Sequence, residues 1–162
     1  MASTKLTFGT ATAFTITLNS LASSGTAGRE STVVDNTSDL FLDALVEVRI
    51  NYPNSAPAND KAIYVYAYGS LDGTNYPEAL TGSDAAYTFK GSAGALTTAL
   101  RLIGVIPAVQ NTDLRFGPFA VAPAFGGIMP AKWGIAVLNY SGQTLAASNC
   151  AAQYRGVYAT TV

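Results

Sequence analysis

The stretch Lys61 to Tyr76, KAIYVYAYGSLDGTNY, constrains the fold more than any other. Ile63, Val65 and Ala67 alternate with Tyr64, Tyr66 and Tyr68, so a strand here sends aliphatic groups to one face and tyrosines to the other. A strand with one wet face reads apolar-in and polar-out; this one is apolar on both sides and requires cover on both. The Asp72-Gly73 pair that follows supplies the positive φ of a tight reversal. Lys132 to Tyr140, KWGIAVLNY, repeats the two-faced pattern, turned by Ser141-Gly142. Leu40 to Tyr52 contrasts with both. There Ala44, Val46, Val48, Ile50 and Tyr52 alternate with Asp43, Leu45, Glu47, Arg49 and Asn51, so one face is wet.

Other segments read as shorter strands. Phe14, Ile16 and Leu18 alternate with Thr15 and Thr17 as a first strand, and Arg29 to Val34 as a second, before an Asp35-Asn36 turn. Tyr87 to Lys90 is a short candidate, and Leu100, Leu102, Ile103, Val105 and Ile106 form a buried strand ended by Pro107. Arg115 to Val121 is broken by Gly117-Pro118, as at a sheet edge or bulge, and Tyr154 to Thr161 closes the chain. Short strands separated by turn signals, without a helical period, predict an all-β antiparallel sandwich. Jelly roll is the first reading, because Pro77 to Gly94 and Ala108 to Asp113 are long enough to cross between sheets; an immunoglobulin-like sandwich is the second. Residues 1–162 read as one domain with an extended N-terminal segment, 1–12. The expected core includes Val46, Val48, Ile50, Val65, Leu102 and Val137.

Composition narrows function. Charged residues are 12% against a usual figure of about 25%, apolar residues are 49%, and net charge is -1. Such a surface resists self-association weakly, which favours an assembly subunit. Acids crowd Glu30 to Asp60, whereas only bases follow Asp113. No basic run suggests nucleic acid, and no run approaches a membrane span. The opening MASTKLTFGTATAFTITL lacks the continuous apolar centre of a signal peptide. Cys150 is the only cysteine and reads as a small buried apolar residue, compatible with folding in a reducing compartment.

Histidine is absent, which excludes Ser-His-Asp and Cys-His catalysis and every His-containing metal site. Asp35, Asp39 and Asp43 read as turn residues and solvated charge rather than paired catalytic carboxylates. Asp35, Asn36 and Asp39, or Asp72 and Asn75, offer oxygens to calcium without an EF-hand spacing. No catalytic residue, cofactor site or metal site is therefore assigned. Asn36-Thr37-Ser38 and Asn139-Tyr140-Ser141 match the glycosylation pattern without a secretory route to use it. The tyrosine face, which Tyr52, Tyr76 and Trp133 could extend, suits core or a subunit interface better than a sugar platform.

The segments YVYAYGSLDGTNYP, AFGGIMPAKWGIAVLNYSG and LTFGTATAFTITL, with TAGREST following, resemble small virion proteins of tailed bacteriophages, in particular jelly-roll capsid decoration (cement) proteins. The resemblance covers most of the chain in style and carries no diagnostic motif. It implies a non-enzymatic structural protein on the capsid surface, assembled in the bacterial cytoplasm, that bridges capsomers by binding the major capsid protein, usually as a trimer. A carbohydrate-binding or adsorption module of a phage fibre or tail is the alternative. A homo-oligomer is expected, a trimer by preference, with some of Tyr64, Tyr66, Tyr68, Leu138 and Tyr140 in subunit contacts.

Overall fold

A computed structural model describes residues 3–53, 56–58, 61–91, 99–109 and 113–161. The strands are β1 (Thr4–Phe8), β2 (Thr12–Ala13), β3 (Ala27–Glu30), β4 (Val34–Asp35), β5 (Asp43–Asn51), β6 (Ala62–Ser70), β7 (Ala85–Thr88), β8 (Arg101–Pro107), β9 (Asp113–Ala120), β10 (Lys132–Tyr140) and β11 (Ala151–Thr161), with a single helical turn, α1 (Asn36–Asp39), before β5. One sheet runs β1-β11-β5-β9, with β2 also on β11; the other runs β7-β3-β10-β6-β8, with β4 also on β10. All pairings are antiparallel among the described residues. If β1 with β2 and β3 with β4 are each one interrupted strand, and β7 is set aside, the chain changes sheets at every step except β6 to β8. First and last strands then lie side by side. This is the jelly-roll order.

The core between the sheets follows from the alternations. Val46, Val48 and Ile50 point inward from β5, Ile63 and Val65 from β6, and Ile135 and Val137 from β10; all are fully buried. The other face of β5 is half-exposed along its whole length. Ile50→Ala is accordingly expected to cost about 2–5 kcal/mol, and Leu45→Ala well under half of the loss at Ile50. Chemical denaturation of both variants checks it; equal losses would mean that the assignment of the faces is wrong.

Four sequence expectations are corrected. Leu102 and Val105 are exposed, at 43% and 49%. β8 is an edge strand with a register shift: Val65 pairs with Gly104 but Tyr66 with Leu102, so Ile103 is an extra residue that sends Leu102 to the outer face. Residues 14–18 keep the predicted in-out alternation but join no ladder. The Phe14 amide donates to the Ala152 carbonyl, and the Thr15 carbonyl accepts from the Thr32 amide, so the segment bridges the sheets at the edge of the sandwich. The opening strands are instead β1 and β2, which lie before this segment. Finally, Tyr52 and Trp133 lie in the inter-sheet core, not on the tyrosine face. Most of the expected spacer 91–94 and parts of the loops 53–59 and 108–113 lie outside the described residues.

The tyrosine face of the second sheet is covered by the chain itself. Leu80, Tyr87 and Phe89 from the segment after β6, with Leu100, pack on Tyr66, Tyr68, Ala136 and Leu138 as a second apolar cluster. The ring of Tyr68 passes over Gly134, where a Cβ would lie 2.7 Å from the ring and hydroxyl. Carboxyl groups fasten this strap. Glu30, buried, accepts from the Thr81 amide and hydroxyl and the Gly82 amide. Glu78 accepts from the Tyr87 hydroxyl and the Ala99 amide. Asp84 accepts from Arg29 Nε at 2.6 Å and from the amide and hydroxyl of Thr17 at 2.9 and 2.5 Å.

Burial favours the protonated form of Asp84, but the hydrogen bonds from Arg29 and Thr17 outweigh it and hold its pKa down to about 2. A carboxyl whose folded pKa is depressed contributes stability above its unfolded value and loses it as pH falls through the folded one. The contribution of Asp84 should therefore be complete above about pH 4 and fade toward pH 2. Unfolding followed across that window should show a shallower acid decline for Asp84→Asn; an unchanged decline would remove Asp84 from the clasp.

Candidate interaction face

The strap covers the centre of the second sheet's outer face, leaving its β8 edge exposed; among the described residues the outer face of the β1-β11-β5-β9 sheet has no such covering cluster. β5 sits between β11 and β9 and sets Leu45 opposite Arg155 and Glu47 opposite Gln153. On the far side of β11, β1 sets Phe8 opposite Val157 and Leu6 opposite Ala159. Leu6 and Phe8 are 64% and 54% exposed, an apolar margin at the sheet edge. Between this margin and β9 lies a hollow of about 320 Å³ lined by Phe8, Leu45, Glu47, Pro118 and Arg155.

Toward the other end the same face is charged. Arg115 Nη1 donates to Glu47 Oε1 at 2.5 Å, and Gln153 Nε2 donates to the same oxygen at 2.8 Å. Arg49 meets Asp113 in a two-pronged pair at 2.7 and 2.5 Å. The Asp113 carboxyl is held below the usual range, chiefly by its hydrogen bond from Arg49. With Lys132 4.0 Å from Asp35, two of the later bases meet the earlier acids within one chain. These exposed pairs each contribute only about 0–1 kcal/mol to stability, so their main effect is to set which charge stands where.

The residues expected in subunit contacts divide. Tyr66, Tyr68 and Leu138 are buried at 2%, 1% and 0% within the single chain, packed with Leu80, Tyr87, Phe89 and Leu100. Tyr64 and Tyr140 remain half-buried, with the Lys61 ammonium 4.8 Å from the Tyr140 ring centre. The second apolar face of β6 and β10 is covered within the chain by Leu80, Tyr87, Phe89 and Leu100. Leu6 and Phe8 are not among the residues that the sequence singles out as contacts, and Arg155 stands there only as one of the late bases. The alternation of Thr with apolar residues in TKLTF is legible in sequence, but no partner strand for it is.

The acids have structural roles. Asp35 accepts from the Thr37 amide at 2.9 Å and caps α1; Asp43 accepts from the Val121 and Ala122 amides at 3.0 and 2.7 Å, joining the start of β5 to the end of β9. Asp72 accepts from the Thr74 and Asn75 amides, which hold its carboxyl far below the usual range. Among the described residues no group of three or more His, Cys, Asp or Glu could hold a metal. Asn36 and Asn139 are buried and hydrogen-bonded, so neither is placed to accept a glycan. Burial pushes the Cys150 thiol up, as expected of a packed cysteine.

Compared with protein-family models, with curated proteins and with solved structures, the chain matches none of them.

Proposed function

We propose that this chain is a non-enzymatic structural protein of a tailed-bacteriophage virion, a decoration protein that binds the major capsid protein on the head surface and bridges capsomers as a homo-oligomer, by preference a trimer. One observation carries the reading: a jelly roll whose own strap covers the centre of one sheet presents on the other a whole sheet face, apolar at its Leu6 and Phe8 margin and charged beyond it. Exposed apolar residues beside an ordered charged ladder suit attachment to a fixed protein surface. The alternative is a carbohydrate-binding or adsorption module of a phage fibre or tail, for which the buried Tyr66 and Tyr68 would not form the platform.

Cryo-electron microscopy of virions is the test. Sandwich-shaped density is expected on local symmetry axes of the head, with the β1 side toward the capsid. A Leu6→Asp, Phe8→Asp double variant should lose head occupancy while its melting temperature holds. Density confined to tail appendages, or full occupancy by the double variant, would overturn the proposal.

A further inference from the structure

At the open edge of the sandwich, between the β1–β2 connection and α1, a cleft of about 360 Å³ is lined by Thr10, Thr12, Ser38, Asp39, Tyr154 and Tyr158. Its aromatic part is anchored in the core. Phe41 stacks on Tyr158 with ring centres 6.2 Å apart and turns its edge to Tyr154 at 6.3 Å. A Cβ on Gly156 would lie 2.2 Å from the Phe41 ring, so glycine at that position is what lets the ring lie against β11. Tyr154 is held in turn by Phe14 at 4.9 Å and Trp133 at 5.4 Å. The rings are thus fixed before any ligand arrives.

Polar groups converge on the same place. Burial is the main cause that raises the Tyr154 phenol pKa; the Asp39 carboxylate adds to it, and a hydrogen bond with Thr12 opposes it. Thr12 and Tyr154 sit opposite each other in the β2–β11 ladder, and both line the cleft together with Asp39. A second hollow of about 230 Å³ shares Asp39 and Tyr154 and runs on along the edge past Thr15, Thr32 and Asp35.

We propose that this cleft is a binding site for a neutral saccharide, with one pyranose unit over the tyrosines and a second unit in the adjoining hollow. A pyranose has C–H faces that stack on aromatic rings and hydroxyl edges that pair with a carboxylate and with hydroxyls, the two kinds of group this lining combines. An anion would meet Asp39 and no lining base, and a purely apolar ligand would leave the hydroxyls and the carboxylate without partners. A cationic ligand would satisfy Asp39 but not Thr10, Thr12 and Ser38. The first hollow falls within the volume range of small-molecule sites, about 300–1,000 Å³. The site is separate from the buried tyrosine face and does not depend on attachment to a capsid.

The experiment titrates the full isotope-labelled chain with glucose, galactose, mannose and N-acetylglucosamine, then maltose and lactose, and in parallel with arginine amide, following amide chemical shifts. Saturable shifts confined to residues 9–12, 38–41 and 154–158 are expected with at least one sugar, and tighter binding with the matching disaccharide. Asp39→Ala and Thr12→Val, both at exposed positions, should each weaken that binding, the former by about tenfold, with unchanged melting temperature. No saturable shift with any sugar, binding unaltered in both variants, or saturation by arginine amide alone would overturn the proposal.

Discussion

Trp133→Ala is expected to lower the unfolding free energy by about 3–5 kcal/mol. Trp133 is fully buried on β10 and meets Phe14 edge-on at 5.5 Å and Tyr154 at 5.4 Å, so its removal opens a cavity where the two sheets and the 14–18 bridge come together. Its indole N–H has no acceptor among the described residues, so the side chain contributes through contact and not through a hydrogen bond. Trp133→Phe should therefore retain most of the stability, within about 1.5 kcal/mol of the parent, because it keeps much of the ring contact and removes an unsatisfied donor. Trp133 is the only tryptophan, so the comparison is read by far-ultraviolet circular dichroism in denaturant and not by fluorescence. A Phe variant as unstable as the Ala variant would show that the N–H has a partner after all.

Tyr68→Ala is expected to cost a similar amount, about 3–5 kcal/mol, and to do so independently of protein concentration. Tyr68 is 1% exposed, packs edge-on to Tyr76 at 5.7 Å and donates its hydroxyl to the Ser31 carbonyl at 2.7 Å. Burial pushes the phenol's pKa far up, so it stays a neutral donor throughout the ordinary pH range. Tyr68→Phe should lose only the hydrogen bond, about 0.5–1.5 kcal/mol. Concentration is the informative variable, because cover from the strap is intramolecular whereas cover from a partner subunit follows mass action. If the loss in the Ala variant shrinks as the protein is concentrated, a second chain contributes to this cluster and the strap alone does not seal it.

The alternations in β5, β6 and β10 were legible residue by residue, because side-chain direction along a strand follows from local backbone geometry. Asp72-Gly73 and Asp35 were legible as turn residues for the same reason: their hydrogen-bond partners lie within three residues. Sequence likewise determined that the chain is an all-β sandwich and that two of its strands need cover on both faces. Tertiary structure decided what provides that cover. Phe89 lies 5.1 Å from Tyr66, yet the two are far apart along the chain, and no local period records such a pairing. The same holds for Leu102, whose face is set by one extra residue in a ladder with β6, and for residues 14–18, where the bridging role depends on Ala152 and Thr32. The interaction face and the edge cleft were the least legible. Each is assembled from segments at opposite ends of the chain, with Phe8 beside Val157 and Thr12 beside Tyr154, because a jelly roll lays its first strand against its last. Local periodicity states how many faces of a strand are apolar; only the long-range antiparallel register states which distant residues meet them.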